Sequence, residues 1–292
     1  MEAGMICLER GSTRLRMMDP LAAEPYYRGT RFDRTGVILS LESGGHRYVQ
    51  PWQRHYDPWS HDAVSGPAEE FLPVFPDAGG IVKIGVGLLR DDGEPYDRFK
   101  LYEILDPGEM AVIPGPGSSV VSFRHFLDGF YDYEKTVEIP ADGRLRLTHT
   151  LRSDSPEAID TYVYCHNFFI LDGAPTGRAT RFTFPFRPTG DWRAPYDSVR
   201  LTDRGIAFDR DLAPAETVFM GNLRPTIPGM ERASCFTLQN LDNGLRVDSA
   251  CDRAMDYAVF WSNPEVSCLE PYIPLRLAPG QTACWTLSYR FL

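Results

Sequence analysis

The chain has 292 residues, of which 43% are hydrophobic and 12% aromatic, and its 40 acidic and 30 basic residues give a formal net charge of −10. No run approaches the roughly 18 consecutive apolar residues of a membrane span, so we expect no membrane partner. The acidic balance, without a basic stripe, argues against a nucleic-acid surface, which needs clustered Lys and Arg. The length fits one large all-β domain or two ordinary domains.

The cysteines show neither a CxxC pair nor a zinc-ligand spacing. Several lie inside apolar runs, where a free thiol packs as a small hydrophobic side chain, so we expect reduced thiols in a cytoplasmic protein. The first 21 residues carry scattered charges and no long apolar segment, unlike a signal peptide. A periplasmic location stays open if a leader is missing from this chain. The cysteines are Cys7, Cys165, Cys235, Cys251, Cys268 and Cys284.

Short apolar runs, punctuated by 24 prolines and 25 glycines, predict an all-β fold, and no amphipathic helix of useful length is evident. The number of runs exceeds that of a small sandwich. We predict a large antiparallel two-sheet β-sandwich in a single domain, residues 1–292, with residues 1–30 as an N-terminal arm. The predicted strands are Thr35–Glu42, Ile81–Leu89, Phe99–Leu105, Ser118–Phe126, Tyr131–Ile139, Arg144–Arg152, Ile159–Ile170, Ala233–Leu241, Leu245–Ala250, Tyr257–Ser262 and Thr282–Phe291.

Two turns between these strands are well specified. Pro140–Gly143 joins two long alternating runs, and Asp242–Gly244 joins two more. Both contain residues that tolerate the positive φ of a hairpin turn, so antiparallel hairpins are expected. The run Arg144–Arg152 alternates Leu or His with Arg or Thr, which indicates one buried and one solvated face.

The run from 162 to 170 is apolar and aromatic except for one imidazole and one amide, His166 and Asn167. In strand alternation His166 shares a face with Tyr164 and Phe168. A row of aromatic rings is a lining on which a sugar ring stacks. A core histidine, satisfied by a backbone carbonyl, is the alternative for His166.

Two short motifs, His166-Asn167-Phe168-Phe169 and Cys268-Leu269-Glu270-Pro271, stand in this order along the chain. The second is followed by the turn Pro279-Gly280 and by a last strand that ends in Tyr289-Arg290-Phe291. Together these segments resemble the galactose mutarotase-like superfamily, whose best-known members are aldose 1-epimerases. The resemblance implies the β-supersandwich of that family and a small carbohydrate ligand. The oligomeric state stays open.

The resemblance also implies a chemistry. A mutarotase opens a cyclic sugar by removing the proton of the anomeric hydroxyl and protonating the ring oxygen, and the ring then closes on the other face. Glu270 is expected to be the general base and His166 the general acid, since their ordinary pKa values of about 4.3 and 6.5 offer the required protonation states. Every step is a proton transfer, so we expect no cofactor.

Further polar and aromatic residues are predicted to bind the sugar, because charged and amide groups grip hydroxyls while aromatic rings stack under the ring. They are Lys83, Glu70, Arg98, Tyr102, Asn167, Phe168 and Tyr164. The segment from His61 to Glu70 matches no defined ligand spacing, so a solvated acidic loop is favoured over a metal site, and no metal is expected. His125 and His149 are expected to be structural.

The resemblance is incomplete between Gly66 and Tyr102. Typical aldose 1-epimerases carry an Asn-Arg pair and an Asn-His-x-His-Gly-Gly stretch that contact ring hydroxyls, and neither is present here. If the chemistry is retained, we expect a substrate other than plain galactose or glucose. A noncatalytic carbohydrate-binding protein, or an accessory part of polysaccharide processing, is the alternative. A mutarotase requires Glu270 and His166 to converge on one cleft, about a sugar ring apart.

Overall fold

The computed structural model describes residues 4–76, 79–227 and 235–292. Those residues form strands, turns and loops, and none of them lies in a helix, so the described part of the chain has no helical segment that could cross a bilayer. The strands are β1 Met5–Arg10, β2 Thr13–Met18, β3 Ile38–Ser43, β4 His46–Val49, β5 Ala68–Phe71, β6 Ile81–Lys83, β7 Gly87–Leu89, β8 Ile104–Asp106, β9 Glu109–Pro114, β10 Val120–Leu127, β11 Tyr131–Glu138, β12 Arg144–Ser153, β13 Ile159–His166, β14 Thr180–Thr183, β15 Pro188–Trp192, β16 Val199–Thr202, β17 Gly205–Phe208, β18 Val218–Pro225, β19 Cys235–Asn240, β20 Arg246–Cys251, β21 Tyr257–Ser262, β22 Ser267–Leu277 and β23 Thr282–Phe291.

The strands form two large and two small antiparallel sheets. The ten-stranded sheet has the order β16-β17-β14-β19-β20-β23-β12-β11-β10-β9, and the six-stranded sheet has the order β15-β18-β21-β22-β13-β5. Strands β1 to β4 form a four-stranded sheet, and β6 to β8 form a three-stranded one. The predicted antiparallel all-β sandwich is confirmed, and the two small sheets are additions to the predicted pair.

The main hydrophobic core lies between the two large sheets. Leu147 and Phe236 of the ten-stranded sheet belong to the same buried cluster as Leu269 and Phe260 of the six-stranded sheet. Alternate residues of β12 are buried, as its sequence pattern predicted. Fully burying one such side chain contributes roughly 1.5–3 kcal/mol, so the paired inner faces hold the sandwich together.

The N-terminal segment is a hairpin rather than the predicted arm. Strands β1 and β2 pair across a turn at Gly11, whose φ is 61°. Leu8, Leu15 and Met17 are buried in the main core. Charged residues alternate with these apolar ones, which gives the hairpin one buried face and one solvated face. The sequence prediction did not use this alternation, because charged residues are scattered along the whole segment.

Both predicted hairpin turns are confirmed. Gly143, with φ 69°, lies between β11 and β12, and Gly244, with φ 76°, lies between β19 and β20. The first two residues of the predicted strand 233–241 fall outside the described residues. The predicted strand Ile81–Leu89 is two short strands, β6 and β7, because Gly85 turns the chain with φ 79°.

The register of the six-stranded sheet determines which side chains share a face. Tyr164 of β13 lies opposite Glu70 of β5 and opposite Tyr272 of β22. Extending that register by two residues brings His166 opposite Glu270, because alternate residues point to the same face. That face points away from the ten-stranded sheet, since Leu269, the neighbour of Glu270 on the opposite face of β22, lies in the main core.

Candidate active site

A cleft of about 550 Å³ opens on the outer face of the six-stranded sheet. Its floor is formed by side chains of β13, β18, β21 and β22, and its walls by the loops that precede β3, β5, β8 and β16. A volume of this size lies in the range of small-molecule sites in proteins. Among the predicted site residues, His166, Glu270, Arg98 and Phe168 line this cleft.

His166 and Glu270 meet directly in the cleft. Nδ1 of His166 lies 3.0 Å from Oε1 of Glu270, and the two residues are only 5% and 4% exposed. The predicted convergence on one cleft is therefore present. The two groups are in hydrogen-bond contact rather than a sugar ring apart, because adjacent strands β13 and β22 place them opposite each other.

Arg31 sets the tautomer of His166. Its Nη2 lies 2.9 Å from Nε2 of His166, and a guanidinium nitrogen can only donate a hydrogen bond. Nε2 is therefore the acceptor, and Nδ1 carries the proton that is donated to Glu270. Burial lowers the pKa of His166; the charge of Glu270 opposes this effect and that of Arg31 adds to it. The resting imidazole is neutral near pH 7.

A buried ion network lies behind the His–Glu pair. Glu70 accepts a hydrogen bond from Nε of Arg31 at 2.6 Å, and Nζ of Lys83 lies 3.4 Å from its other oxygen. Burial would raise the pKa of Glu70, but Lys83 and Arg31 outweigh it and lower that pKa to about 2. Burial in turn lowers the pKa of Lys83 to about 8. Neither Glu70 nor Lys83 lines the cleft, and both act on it through Arg31.

Arg98 is held by two tyrosines. Its Nη1 donates to the hydroxyl of Tyr164 at 2.7 Å and lies 3.5 Å from that of Tyr272. The two tyrosine rings are stacked with centroids 4.1 Å apart, and the hydroxyl of Tyr164 also donates to Glu70. Tyr164, a predicted sugar contact, therefore supports the cleft from below its surface, whereas Tyr272 lines it.

The predicted aromatic row around His166 is present. The imidazole lies 5.0 Å, centroid to centroid, from Phe168 and 5.1 Å from Tyr164. Phe168 in turn packs against Trp52 and Trp261, at 5.3 and 6.2 Å. These rings give the cleft an apolar wall beside the His166–Glu270 pair, which is a combination typical of small-molecule sites.

Two predicted sugar contacts lie elsewhere. Asn167 points to the opposite face of the sheet because it alternates with His166, and its amide donates to two backbone carbonyls and accepts from the hydroxyl of Tyr289. Tyr102 is buried beside the three-stranded sheet, stacked on Tyr96 at 5.3 Å. Its hydroxyl accepts from the backbone of Asp97. Neither residue lines the cleft.

The acidic segment that was predicted to be solvated is partly a buried strand. Glu69 and Glu70 of β5 are 1% and 0% exposed. Glu69 points toward the ten-stranded sheet, where Nζ of Lys135 lies 2.5 Å from it and 3.6 Å from Asp33. The prediction was wrong because these carboxylates are compensated by cations that are distant in sequence. His61 and Asp62, at the other end of the segment, line the cleft.

The two histidines that were expected to be structural lie on the ten-stranded sheet. Nδ1 of His125 is 2.9 Å from the hydroxyl of Tyr131, and Nδ1 of His149 is 3.0 Å from that of Tyr133. Both histidines are buried and neither lines the cleft. Their positions agree with the structural interpretation.

A possible metal-ligand set exists within the site. Candidate ligand atoms of His166, Cys268 and Glu270 lie within 4.8 Å of one another, and a His, Cys and carboxylate set suits zinc. Zinc binds the thiolate form of cysteine. Burial raises the pKa of the Cys268 thiol well above its usual value, so a bound cation would have to displace its proton as well as the His–Glu hydrogen bond.

Several cleft residues were missed by sequence reasoning. Phe219 and Trp261 reach the cleft because Phe219 lies opposite Trp261, and Trp261 lies opposite Cys268. This chain of pairings between β18, β21 and β22 has no signal in a single sequence. Arg31, Trp52 and Arg193 come from loops. Trp261 lies inside the predicted strand Tyr257–Ser262, and alternation along that strand was the signal that could have placed it on a sheet face.

Comparison with solved structures shows that the chain has the galactose mutarotase-like fold. A galactose mutarotase related enzyme from Lactobacillus acidophilus matches with a TM-score of 0.60 and 14% identity, over 99% of this chain and 97% of that chain. A galactose mutarotase-like protein from Clostridium acetobutylicum matches with a TM-score of 0.61 and 11% identity, over 98% and 94%. An aldose epimerase homologue from C. elegans matches with a TM-score of 0.53 and 12% identity, over 99% and 98%.

No protein-family model matches this sequence, and no curated protein sequence matches it. The fold predicted from the two short motifs is confirmed by the solved structures. The fold alone assigns no activity to the cleft, because one fold supports many functions.

Proposed function

We propose that the protein interconverts the anomers of a sugar by acid–base ring opening, with His166 and Glu270 as the reacting groups. The observation that carries this proposal is the meeting of these two side chains, 3.0 Å apart, in a cleft of about 550 Å³. Aromatic rings on one wall and guanidinium groups on the others suit a polar ligand with one apolar face.

The contact distance is compatible with this reaction because the anomeric hydroxyl and the ring oxygen are bonded to the same carbon. A bound sugar would replace the direct His–Glu hydrogen bond. Glu270 would take the proton of the anomeric hydroxyl while Nδ1 of His166 protonates the ring oxygen, and the bond between the anomeric carbon and the ring oxygen breaks as the carbonyl forms. Rotation and the reverse steps then give the other anomer and restore both protons.

The acid form of His166 is the imidazolium, which also carries a proton on Nε2. Arg31 must therefore withdraw its Nη2 from Nε2 before that proton is added, while its Nε stays bonded to Glu70. Arg31 is thus assigned as a positioning residue: it anchors the ring when the site is empty and opposes protonation by its charge.

This assignment predicts the pH dependence of the reaction. Burial and Arg31 lower the pKa of His166 below its ordinary value of about 6.5. Above that pKa, kcat/KM should decline with rising pH by a factor that approaches tenfold per pH unit, because the imidazolium is lost. Replacing Arg31 by Gln removes a cation beside the ring, so the pKa of His166 should rise and the declining limb should move to higher pH. Anomer exchange measured by NMR across pH, with circular dichroism as a check on folding, tests both expectations. If kcat/KM of the Arg31→Gln variant declined at the same pH as that of the wild type, the acid role of His166 would be contradicted.

The activity itself is tested by exchange spectroscopy with a panel of aldoses, comparing the rate of anomer interconversion with and without protein. Enhanced exchange of at least one sugar is expected. If a sugar binds in the cleft and no sugar in the panel exchanges faster, the noncatalytic carbohydrate-binding alternative is the correct one.

Removal of metal ions gives a further prediction. Dialysis against EDTA is expected to leave the exchange rate unchanged within about twofold, since proton transfer by positioned side chains needs no cation. A loss of activity that added Zn²⁺ restores would instead assign His166, Cys268 and Glu270 as ligands.

A further inference from the structure

The charge of the cleft differs from that of the chain. The protein has a formal net charge of −10, yet three arginines, Arg31, Arg98 and Arg193, line the cleft with only two carboxylates, Asp62 and Glu270. Arg31 forms an ion pair with Glu70, which is shared with Lys83. Among the residues that the structure describes, neither Arg98 nor Arg193 forms an ion pair with a carboxylate.

Arg98 is half-buried and held by neutral partners. Its guanidinium donates through Nη1 to the tyrosine hydroxyls of residues 164 and 272 and lies 5.7 Å from the ring centroid of Tyr164. Arginine carries five donor hydrogens in a planar fork. The contacts made within the described residues use one nitrogen, so the remaining edge is available to a ligand in the cleft.

Arg193 is held by stacking. Its guanidinium carbon lies 4.0 Å from the centroid of the Phe219 ring, and its backbone N–H donates to the carbonyl of Phe219 at 3.1 Å. Stacking occupies the flat face of a guanidinium and leaves its N–H edge open, which is the edge that binds carboxylate or phosphate with two parallel hydrogen bonds.

The two arginines lie at different distances from the acid–base pair. Arg98 is attached to Tyr272, two residues from Glu270 on the same face of β22. Arg193 stacks on Phe219 of β18, and β21 lies between β18 and β22. Phe219 is therefore roughly 10 Å from β22 across the sheet, at about 4.8 Å per strand spacing. Along β22, Tyr272 lies on one side of Glu270, and Cys268, which is in register with Phe219 through Trp261, lies on the other. A sugar with its anomeric carbon at Glu270 therefore has an arginine in either direction.

We propose, on the basis of the proposed function, that the substrate is an anionic sugar whose phosphate or carboxylate group is bound by one of the two arginines of the cleft, Arg98 or Arg193. Two guanidinium groups that line one cleft and form no ion pair with a carboxylate among the described residues favour a ligand that brings its own negative charge.

The experiment uses a neutral aldohexose, its 6-phosphate and the corresponding uronic acid as probes. Anomer exchange by NMR and equilibrium binding by calorimetry are measured for the wild type, for Arg98→Gln/Arg193→Gln, and for the matched control Arg200→Gln. Arg200 is a surface residue that pairs with Asp209 and does not line the cleft. The wild type should favour an anionic probe over the neutral one by about tenfold or more, since hydrogen bonds to charged groups are worth that much.

The double variant should lose this preference, and the control should keep it. The probe with the larger effect, the 6-phosphate or the uronic acid, identifies the anionic group. The inference would be overturned if the wild type showed equal kcat/KM and equal affinity for neutral and anionic probes. It would also be overturned if the preference persisted in the double variant. Either outcome would leave the ring-opening activity in place. Arginine-dependent binding of an anionic probe without exchange would support the inference and reject the proposed function.

Discussion

Glu270→Gln is expected to lower kcat/KM for anomer exchange by about 10²–10⁴-fold. An amide cannot accept the proton of the anomeric hydroxyl, whereas its oxygen can still accept the hydrogen bond that His166 donates at 3.0 Å. The cleft and the fold should therefore persist, with an unchanged thermal unfolding temperature. Exchange NMR on an accepted sugar measures the effect, and His166→Asn should produce a loss of similar order, because it removes the acid.

Glu265→Gln is the matched control for this experiment. Glu265 lies in the turn before β22, pairs with Arg54 at 2.5 Å and does not line the cleft. Its replacement should leave kcat/KM within about twofold, since an exposed ion pair contributes little. If Glu270→Gln and His166→Asn both kept wild-type turnover, the acid–base assignment would be wrong.

The largest loss of stability is expected from Lys135→Met. Lys135 is 1% exposed, and its Nζ lies 2.5 Å from Glu69 and 3.6 Å from Asp33. Burial disfavours the ammonium, but Glu69 and Asp33 outweigh it and raise the pKa of Lys135. Removing the cation leaves two buried carboxylates uncompensated, so the free energy of unfolding should fall by about 3–5 kcal/mol. Urea denaturation measures this change.

A surface control variant and a double variant complete the stability experiment. Lys100→Met removes an ion pair with Asp92 on the surface and should cost no more than about 1 kcal/mol. Adding Glu69→Gln to Lys135→Met should recover part of the loss, because one of the unpaired carboxylates is then neutral. The loss should also shrink as pH falls, since burial already raises the pKa of Glu69 and Asp33 and their protonated forms need no cation. Equal stability of the two Lys→Met variants would show that the buried network adds nothing.

The face of a strand was predictable where it depended on alternation alone. His166 and Phe168 share the cleft face, as expected, and the same rule sends Asn167 to the other side of the sheet. Asn167 was nevertheless predicted to bind sugar, because an amide group can bind hydroxyls. The error came from using the residue type without the strand face on which it lies.

The burial of Glu70 and Lys83 was not predictable from local pattern. Both were expected to contact the sugar, yet both are fully buried and linked to the cleft by Arg31. A charged residue in an apolar strand indicates a site or an ion pair. The choice between these depends on which cation or anion arrives from elsewhere in the chain, and here Arg31 bonds to Glu70 across 39 positions of sequence.

By itself, the sequence determined the all-β class, the hairpin turns and the two motifs that contain His166 and Glu270, because alternation, turn residues and short motifs are local properties. Only the tertiary structure decided that these two side chains touch, that Arg31 lies against His166 from 135 positions away, and that Arg98 and Arg193 share their cleft. The neighbouring strands β18, β21, β22 and β13 form the floor of that cleft. Strand order and loop position arise from pairings between distant segments, which a single sequence does not record.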